Sequence, residues 1–536
     1  MRTRSLIIAL AAIALITLSV QWCVVRWDIT KDQRYTLSEP TKALLAQLDG
    51  EVEAELLLNG PLNSGFTRLR KTCLEMLEDM RPYATIRVRE ATADESAKSG
   101  LVPTLVHERT QDGRTAQTEV YPYLRLTYKH KQQVVSLLRN NRGKSGEENL
   151  NSSIEGMEYA IAEAIHTLVQ EKTERVAFLE GHGELNEKDV WDWSQQLSRY
   201  FQIDRGQLGN QTGILDPYKV VIIAGPQLPF SDIDKYIIDQ YIMQGGHVLW
   251  LVDGVRFSDD MLSQDGITPV IGLDLNLSDM WFRYGVRENP VLLQDLQCLR
   301  IPVNVGMDGQ ENFQPIPWTY APLLLTSQAS PVTRDVMQVS TSMHSTLDIV
   351  GGEDGLEKDI LLATSSASRV TGTPAEVDLS DLTIRQEDYR YQFLPAAMSI
   401  SGIFTSLYAH LMPLENIVAQ TPQRKQSVPT KQIFVAGSNL ARNEWEKGQP
   451  LPVGFDRYTQ TQFGNRDFLV NAVLYLSDDS GIIQLREKSI TLRLLNDQRA
   501  HAHRLAVQLI STCLPLLLLC ITGMIVLLCR KKRYTK

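Results

Sequence analysis

Residues 219–224 read Lys-Val-Val-Ile-Ile-Ala, and residues 247–252 read His-Val-Leu-Trp-Leu-Val. Each run is apolar at almost every position, without the alternation expected of a strand that has one face in water. Between them, residues 232–244 show helical spacing of apolar side chains, and Gly245 and Gly246 follow directly. Strands that are apolar on both sides are typical of parallel sheets covered by helices on both faces. This unit therefore predicts the centre of a doubly wound α/β domain.

The same alternation continues on the N-terminal side of this unit. A strand is predicted at residues 175–179, a helix at 188–200, and another helix at 154–170, where apolar residues form a stripe. We therefore predict one larger α/β domain over residues 150–480, with a polar loop at 372–390. Its strands and its Gly-Gly turn resemble the class I glutamine-amidotransferase-like variety of the flavodoxin-like fold, which has a parallel sheet.

A smaller N-terminal α/β domain is predicted for residues 28–140. Its predicted elements are a strand, a helix and three strands, at residues 51–58, 66–83, 85–90, 123–128 and 134–138. This order resembles thioredoxin-like folds, but no Cys-x-x-Cys occurs in the chain, which argues against dithiol redox chemistry. The polar residues 140–149 predict a linker or exposed loop after this domain.

Both ends of the chain carry long uncharged apolar segments. Residues 6–25 and residues 505–529 contain no charged side chain, and twenty helical residues rise about 30 Å, which matches the hydrocarbon core of a bilayer. Arg530, Lys531 and further basic residues follow the second segment and predict that it ends in the cytoplasm. Two spans place both termini on the same side, so the region between them lies outside the cytoplasm.

The sequence thus predicts a bacterial cytoplasmic-membrane protein with one transmembrane helix at each end and a periplasmic ectodomain. Residues 1–5 and 530–536 would be cytoplasmic, and residues 481–504 would be a juxtamembrane segment. A cleaved signal peptide is the alternative for the first span, but the apolar run is longer than usual for such peptides. A lipoprotein signal is disfavoured because the bulky Trp22 precedes Cys23.

The charge of the chain bears on its partners. The net charge is −9, while residues 1–27 and 505–536 carry basic side chains and no acidic one. The ectodomain is therefore more acidic than the whole chain. This charge disfavours nucleic acid and anionic lipid as partners of the ectodomain. The apolar segments at the two ends predict the lipid bilayer as a partner.

Few cysteines lie outside the predicted spans. Of six cysteines, only Cys73 and Cys298 fall in the ectodomain. They could form one disulfide, but a long domain with two cysteines is not a disulfide scaffold, and we expect two buried thiols.

Polar residues follow the predicted parallel strands, at the edge where ligands usually bind such sheets. His182 and Glu184 follow the strand at 175–179, and Asp253 follows the strand at 247–252. These three are candidate ligand-binding residues, and they could meet as acid/base partners or as metal ligands. The alternative is that His182 and Glu184 only hold a tight glycine turn through hydrogen bonds.

A second group of candidate ligand-binding residues consists of Ser365, Ser366 and Ser368, after an apolar run at 360–364. The alternative is an ordinary serine-rich turn. No Gly-x-Ser-x-Gly, His-Glu-x-x-His or glycine-flanked cysteine elbow occurs in the chain. We therefore predict no catalytic residue, no metal site and no cofactor.

Several short stretches, in this order, resemble the GldG-type auxiliary proteins of ABC transporters, known from gliding-motility systems of the Bacteroidetes. The stretches are Arg-Tyr-Thr-Leu-Ser at 34–38, Gly-Phe-Thr-Arg-Leu at 65–69, NSSIEGMEY at 151–159, LEGHGEL at 179–185, QGGHVLWLVD at 244–253, PVGFD at 452–456, FGNRDFLVNAVLYL at 463–476 and LREKSITLRLL at 485–495. The resemblance implies a non-catalytic subunit that binds a substrate or a partner and stands beside a separate permease and a separate cytoplasmic ATPase. It also implies a non-catalytic amidotransferase-like module.

Two other classes of function stay open. One is an exported hydrolase or amidase that uses the loop around His182. The other is a structural scaffold of the cell envelope, whose loops and sheet edges would contact other envelope proteins.

Overall fold

The computed structural model describes most residues between 36 and 478 and a helix near the C-terminus. The described residues are 36–60, 62–101, 103–109, 115–138, 146–169, 174–304, 313–334, 336–351, 355–381, 384–411, 417–418, 422–478, 513, 515–517 and 519–528. They belong to two compact units, residues 1–489 and residues 490–536. The predicted segments at 1–5, 6–25, 481–504 and 530–536 lie outside the described residues.

In the second unit, residues 513, 515–517 and 519–528 are helical, and all their side chains are exposed. Among the described residues, no helix is both long enough and apolar enough to cross a bilayer. The two membrane spans at 6–25 and 505–529 therefore stay predictions.

The N-terminal part of the first unit contains a four-stranded sheet with helices packed on it. In chain order its elements are α1 (Glu39–Ala46), β1 (Val52–Leu56), α2 (Ser64–Met80), β2 (Ile86–Glu90), α3 (Ala93–Ala97), β3 (Thr104–Arg109), β4 (Thr115–Val120), β5 (Tyr123–Tyr128), β6 (Lys131–Ser136), α4 (Gly146–Glu155) and α5 (Met157–Val169). The sheet order is β2-β1-β5-β6, with β1 and β2 parallel and β5 antiparallel to both its neighbours. All five elements predicted for this region are present, whereas the thioredoxin-like assignment stays a prediction.

Alternation in sequence explains this small sheet. In β1, the apolar Val52, Ala54 and Leu56 are buried, whereas Glu53 is exposed and Glu55 is half-buried. Helix α2 covers the sheet with a stripe at helical spacing that includes Leu69 and Cys73. Burial on one face of the sheet thus holds the N-terminal part together.

Two predictions near residue 150 need correction. The predicted linker at 140–149 contains the start of α4 at Gly146. The helix predicted at 154–170 is confirmed over Met157–Val169, but its first two residues belong to α4, which ends before Gly156. The polar sequence did not indicate a helix, because the side chains that α4 buries are polar rather than apolar. One of them, Asn151, accepts a hydrogen bond through its amide oxygen from Arg68 of α2 at 2.5 Å. A glycine between two helices favours such a break, since it is a poor helix former.

The rest of the first unit is organised around a ten-stranded sheet. Its elements are β7 (Arg175–Glu180), α6 (Trp191–Leu197), β8 (Gln202–Gln207), β9 (Val220–Ala224), α7 (Asp232–Met243), β10 (His247–Leu251), β11 (Val255–Arg256), α8 (Asp259–Gln264), β12 (Ile267–Gly272), α9 (Ser278–Tyr284), β13 (Val286–Asn289), β14 (Val291–Asp295), β15 (Cys298–Asn304), β16 (Phe313–Thr326), β17 (Val339–Ser340), β18 (Thr346–Ile349), β19 (Glu357–Ala363), β20 (Ser368–Gly372), β21 (Ala375–Asp378), β22 (Pro395–Gly402), β23 (Thr430–Val435), β24 (Trp445–Glu446), β25 (Gln449–Pro450), β26 (Phe455–Asp456), β27 (Thr461–Gln462) and α10 (Asn465–Ser477). Short 3-10 helices lie at Gln386–Asp388 and Asn439–Ala441.

The order of this sheet is β15-β16-β19-β22-β23-β10-β9-β7-β8, with β17 added on β16. The five strands from β23 to β8 are parallel, and the strands beyond β23 alternate in direction. Numbered along the chain, the parallel strands have the order 2-1-3-4-5, an order that occurs in doubly wound sheets. Assignment to a class I amidotransferase-like fold stays a prediction.

Helices cover both faces of the parallel strands. Along β9, Val220 and Ile222 belong to one apolar core, to which α6 and α10 contribute. Val221 and Ile223 belong to the opposite core, which α7 and α9 complete. Alternate side chains of one strand thus enter different cores, as expected of a strand without a face in water.

Three other predictions need correction. The helix predicted at 188–200 is limited to Trp191–Leu197, and the loop predicted at 372–390 contains β21, because Val377 is fully buried in a small satellite core. Both ectodomain thiols are free, but only Cys73 is buried, whereas Cys298 is half-buried. Local sequence did not reveal the short helix, the buried strand or the exposure of Cys298, because each depends on contacts with distant parts of the chain.

A glycine at the start of β10 allows close packing and generates a prediction. A side chain at Gly246 would overlap the ring of the buried Tyr241, whose hydroxyl donates a hydrogen bond to the Tyr218 carbonyl at 2.9 Å. We expect Gly246→Ala to lower the free energy of unfolding by about 1–3 kcal/mol, the usual cost of overpacking. Chemical denaturation of the purified chain measures this.

The matched control is Gly209→Ala, at an exposed position where a Cβ atom would meet nothing within 4 Å. Its effect should stay within about 0.5 kcal/mol, as for most surface substitutions. Equal stability of the two variants would contradict the packing described around Tyr241.

Candidate functional site

The loop after β7 carries the first predicted group of site residues. Gly181 and Gly183 flank His182 and both have positive φ, at 118° and 78°. Such backbone angles favour glycine, and they fold the loop tightly around the histidine. The His182 carbonyl accepts hydrogen bonds from the amides of Gln227 and Leu228, at 2.7 and 2.8 Å, in the loop after β9.

Both ring nitrogens of His182 have carboxylate partners. Nδ1 lies 3.0 Å from Glu184 Oε1, and Nε2 lies 3.3 Å from Asp234 Oδ2. The ring also stacks on Phe230, with centroids 3.8 Å apart. Burial lowers the pKa of His182, but the two carboxylates outweigh burial and raise it above its ordinary value. The structure thus brings together His182 and Glu184, two of the three residues that the sequence suggested could meet.

Asp234 gives this arrangement a structural role. It is the third residue of α7 and forms a capping box with Ser231. His182 therefore connects the loop after β7 to the start of the helix that follows β9. Neither nitrogen is open to a substrate, so this geometry favours the turn-holding alternative over acid/base chemistry.

Asp253 lies elsewhere along the same edge of the sheet. Its carboxylate accepts hydrogen bonds from the Ser438 amide at 2.7 Å and the Ser438 hydroxyl at 2.6 Å. Among the described residues, no hydrogen bond joins Asp253 to His182 or Glu184. Burial raises the pKa of Asp253, and the hydrogen bonds from Ser438 oppose that rise. Asp253 thus links the end of β10 to the segment that follows β23 through these two hydrogen bonds.

Other polar side chains near Asp253 were not predicted from the sequence. Burial, with a further contribution from Asp253, raises the pKa of Glu288 well above its ordinary value. Burial lowers the pKa of His344 to about 4, so this ring is neutral at pH 7. Within the described part of the chain, Glu288 Oε1, His344 Nε2 and Ser345 Oγ are enclosed without a hydrogen-bond partner. His344 and Ser345 are almost fully buried.

The serines after β19 form a turn. The Ser365 amide and hydroxyl donate to the buried carboxylate of Asp295, at 2.7 and 2.6 Å. Ser368 lies 3.0 Å from the Thr364 hydroxyl, while Ser366 is exposed. The contacts of Ser365 and Ser368 are those of the serine-rich turn named as the alternative.

A cavity of about 220 Å³ lies beyond the end of β23, and the sequence did not predict it. Its lining residues come from β15, β16, the segment after β17, the segment after β23 and the hairpins before α10. The PVGFD stretch at 452–456 supplies several of these residues. Asn465, in the FGNRDFLVNAVLYL stretch, also lines the cavity.

Asn465 holds the walls of this cavity together. Its amide oxygen accepts from the Ser340 amide at 2.9 Å, and its nitrogen donates to the carbonyls of Ser340 and Leu440, at 2.7 and 2.8 Å. One side chain at the start of α10 thus joins β17 to the segment after β23.

The geometry around His182 predicts a pH-dependent stability. Its raised pKa means that protonation stabilises the folded state fully below about pH 6.5, and that this contribution is lost as pH rises through the folded pKa. We expect His182→Gln to lower the melting temperature more at about pH 5.5 than at about pH 8.5. Differential scanning calorimetry at both pH values measures the gap.

The exposed His410, replaced in the same way, is the control. Its substitution should leave the melting temperature nearly unchanged at either pH. A His182→Gln deficit that is equal at both pH values would exclude the protonated bridge to Glu184 and Asp234.

Comparisons with known proteins were made for the sequence and for the fold. No curated protein sequence matches the chain. The mmIFT52 N-terminal domain has 14% sequence identity and a TM-score of 0.33, covering 57% of this chain and 99% of that chain. A thua-like protein from Parabacteroides merdae ATCC 43184 has 10% identity and a TM-score of 0.25, covering 61% of this chain and 94% of that chain. Likenesses this low support no conclusion about this chain.

Two family models match the sequence. Residues 31–127 match a domain of unknown function, DUF7088. Residues 173–472 match the auxiliary family described as an ABC-type uncharacterized transport system, and this match spans more than half of the chain. The chain therefore belongs to this family of auxiliary proteins of ABC-type transport systems.

Proposed function

We propose that this protein is a non-catalytic auxiliary subunit of the GldG type, bound to an ABC permease and a cytoplasmic ABC ATPase. The observation that carries the proposal is the family match over residues 173–472, which supports an accessory role in ABC transport. The GldG-type stretches extend on both sides of this match, from residues 34–38 to 485–495. The chain has no Gly-x-x-x-x-Gly-Lys motif, so another polypeptide would hydrolyse the nucleotide.

The proposed location is the bacterial cytoplasmic membrane. The uncharged residues 6–25 and 505–529 are the proposed anchors, and the basic residues from Arg530 onward favour a cytoplasmic C-terminus. The ectodomain would then lie in the periplasm. Two spans without a charged residue offer no route for a polar solute, so the transport path would belong to the permease.

The ectodomain would act by binding. Both nitrogens of His182 are bonded to carboxylates, and His344 and Ser345 are buried, so these groups lend no support to the hydrolase alternative. We propose a flavodoxin-like, amidotransferase-like domain without catalysis, preceded by a thioredoxin-like domain. The parallel strand order 2-1-3-4-5 supports the first of these assignments.

Copurification tests the transport assignment. We expect the full-length chain, extracted from its native membrane with a mild detergent, to recover one ABC permease and one ABC ATPase, identified by mass spectrometry. The control is an unrelated membrane protein of the same topology, because anchoring alone should not recruit the partners. Recovery of neither subunit by the natural chain would refute the assignment.

Cysteine labelling tests the topology. We expect Gly209→Cys, at an exposed ectodomain position, to react with a membrane-impermeant maleimide in intact spheroplasts. Thr535→Cys, in the basic tail, should react only after lysis. Burial raises the pKa of Cys73 to about 12 and that of Cys298 to about 11, so the natural ectodomain thiols should react little at neutral pH.

Labelling of the parent chain, which carries only the natural cysteines, gives the background signal of this experiment. Labelling of Thr535→Cys in intact spheroplasts would contradict a cytoplasmic C-terminus. Labelling of Gly209→Cys only after lysis would contradict a periplasmic ectodomain.

A further inference from the structure

The cavity beyond β23 has two walls of different origin. One wall comes from β15, β16 and the segment after β17, where Arg300, Trp318 and Thr341 line the space. The facing wall comes from the segment after β23 and the following hairpins, where Asn439 and Phe455 line it. At about 220 Å³ the cavity is smaller than the 300–1,000 Å³ typical of sites for drug-sized ligands, so the group that it encloses is small.

The charged side chains of the cavity differ in whether they are already paired. Arg442 donates to Asp259 at 2.8 Å, and Glu444 lies 3.6 Å from Arg457. Asp456 accepts a hydrogen bond from the Tyr458 amide at 3.0 Å. These groups are satisfied within the chain.

Arg300 is different. Its guanidinium group has no hydrogen-bond or ion-pair partner among the residues that the structure describes, and its side chain is exposed at the cavity. A guanidinium presents a planar fork of donors that matches a carboxylate. An occupant with a carboxylate group would therefore complete this wall.

Uncharged polar groups add a second requirement. Asn439 donates through its amide nitrogen to the Ser342 carbonyl at 3.2 Å, while its amide oxygen has no donor within the described residues. The Thr341 hydroxyl and the Trp318 indole nitrogen are likewise without a partner in the described part of the chain, and the Thr341 side chain is 4% exposed. The hydroxyl groups of a ligand can donate to the Asn439 oxygen and accept from the Thr341 hydroxyl and the Trp318 indole nitrogen. The occupant should therefore be rich in hydroxyls.

Aromatic rings supply the third requirement. Trp318, Phe455 and Tyr458 line the same space. Flat aromatic faces pack against apolar C–H surfaces, and a sugar ring combines such a surface with hydroxyls at its rim. An inorganic anion would use Arg300 but would leave the aromatic rings and the Asn439 oxygen without a partner.

We propose that this cavity binds a single sugar ring that carries a carboxylate, as in a uronic acid, with the carboxylate on Arg300. Asn439 and Thr341 contact the hydroxyls, and the aromatic side chains contact the ring. This binding role goes beyond the transport-accessory role and does not depend on it. The two can fail separately, because copurification tests one and ligand binding tests the other.

Ligand-observed saturation-transfer NMR tests the proposal on the full-length chain in lipid nanodiscs. Alkyl glycoside detergents are avoided because their sugar headgroups would compete. The probes are D-glucuronate, D-glucose and inorganic phosphate. We expect saturable binding of glucuronate, with glucose bound about tenfold more weakly because it lacks the charge-assisted contact to Arg300.

Two variants assign the contact. Arg300→Gln should weaken glucuronate binding about tenfold, to the level of glucose, and should leave glucose binding unchanged. The control is Arg385→Gln, an exposed arginine that does not line the cavity and should change neither affinity. The melting temperature of each variant checks that the fold is retained.

Thr341→Val separates binding from stability. Valine has the shape of threonine, so the unliganded variant should melt at the same or a higher temperature once the unpaired hydroxyl is gone. Its affinity for glucuronate should fall. A lower melting temperature with unchanged affinity would instead give the hydroxyl a structural role and overturn its place in the site.

Three further results would overturn the proposal. The first is the absence of saturable glucuronate binding. The second is equal affinity for glucuronate and glucose in the parent chain. The third is displacement of glucuronate by phosphate at equal concentration, which would show an anion site without recognition of the ring.

Discussion

Every side chain of β9 and β10 is buried, so the centre of the large sheet has no face that can contact water. Two apolar faces must both be covered, and the chain covers one with α6 and α10 and the other with α7 and α9. Because α10 lies more than two hundred residues after β10 in the sequence, a long segment of the chain must be placed before α10 can pack on the sheet. Strands within that segment extend the sheet. Burial of two short strands thus organises most of the first unit.

This constraint also explains which parts of the fold could be predicted. The continuous apolar runs at β9 and β10 predicted buried parallel strands, and the alternation in β1 predicted a strand with one buried face. The antiparallel half of the large sheet was not predicted as such, because pairing between β16, β19 and β22 depends on contacts that local pattern does not encode. The α4 helix was missed for a related reason, since its buried side chains are polar.

Site residues were predictable only in part. The glycines beside His182 predicted a tight turn held by His182 and Glu184, but nothing in the sequence indicated that Asp234 would reach the second ring nitrogen. Asp253 was identified as a residue at a strand end, and its partner Ser438 lies 185 residues further along the chain. The cavity could not be predicted, because its walls come from segments that are distant in sequence.

The hydrogen bonds of Asn465 have a consequence for the order of folding. This side chain joins Ser340 to Leu440, over sequence separations of 125 and 25 residues. Contacts over such distances form late, because a long loop must close before they contribute free energy. During synthesis β7, β8, β9 and β10 leave the ribosome long before residue 465 and can begin to pair without it. The cavity is complete only after α10 has docked, so its presence marks a chain that has finished folding.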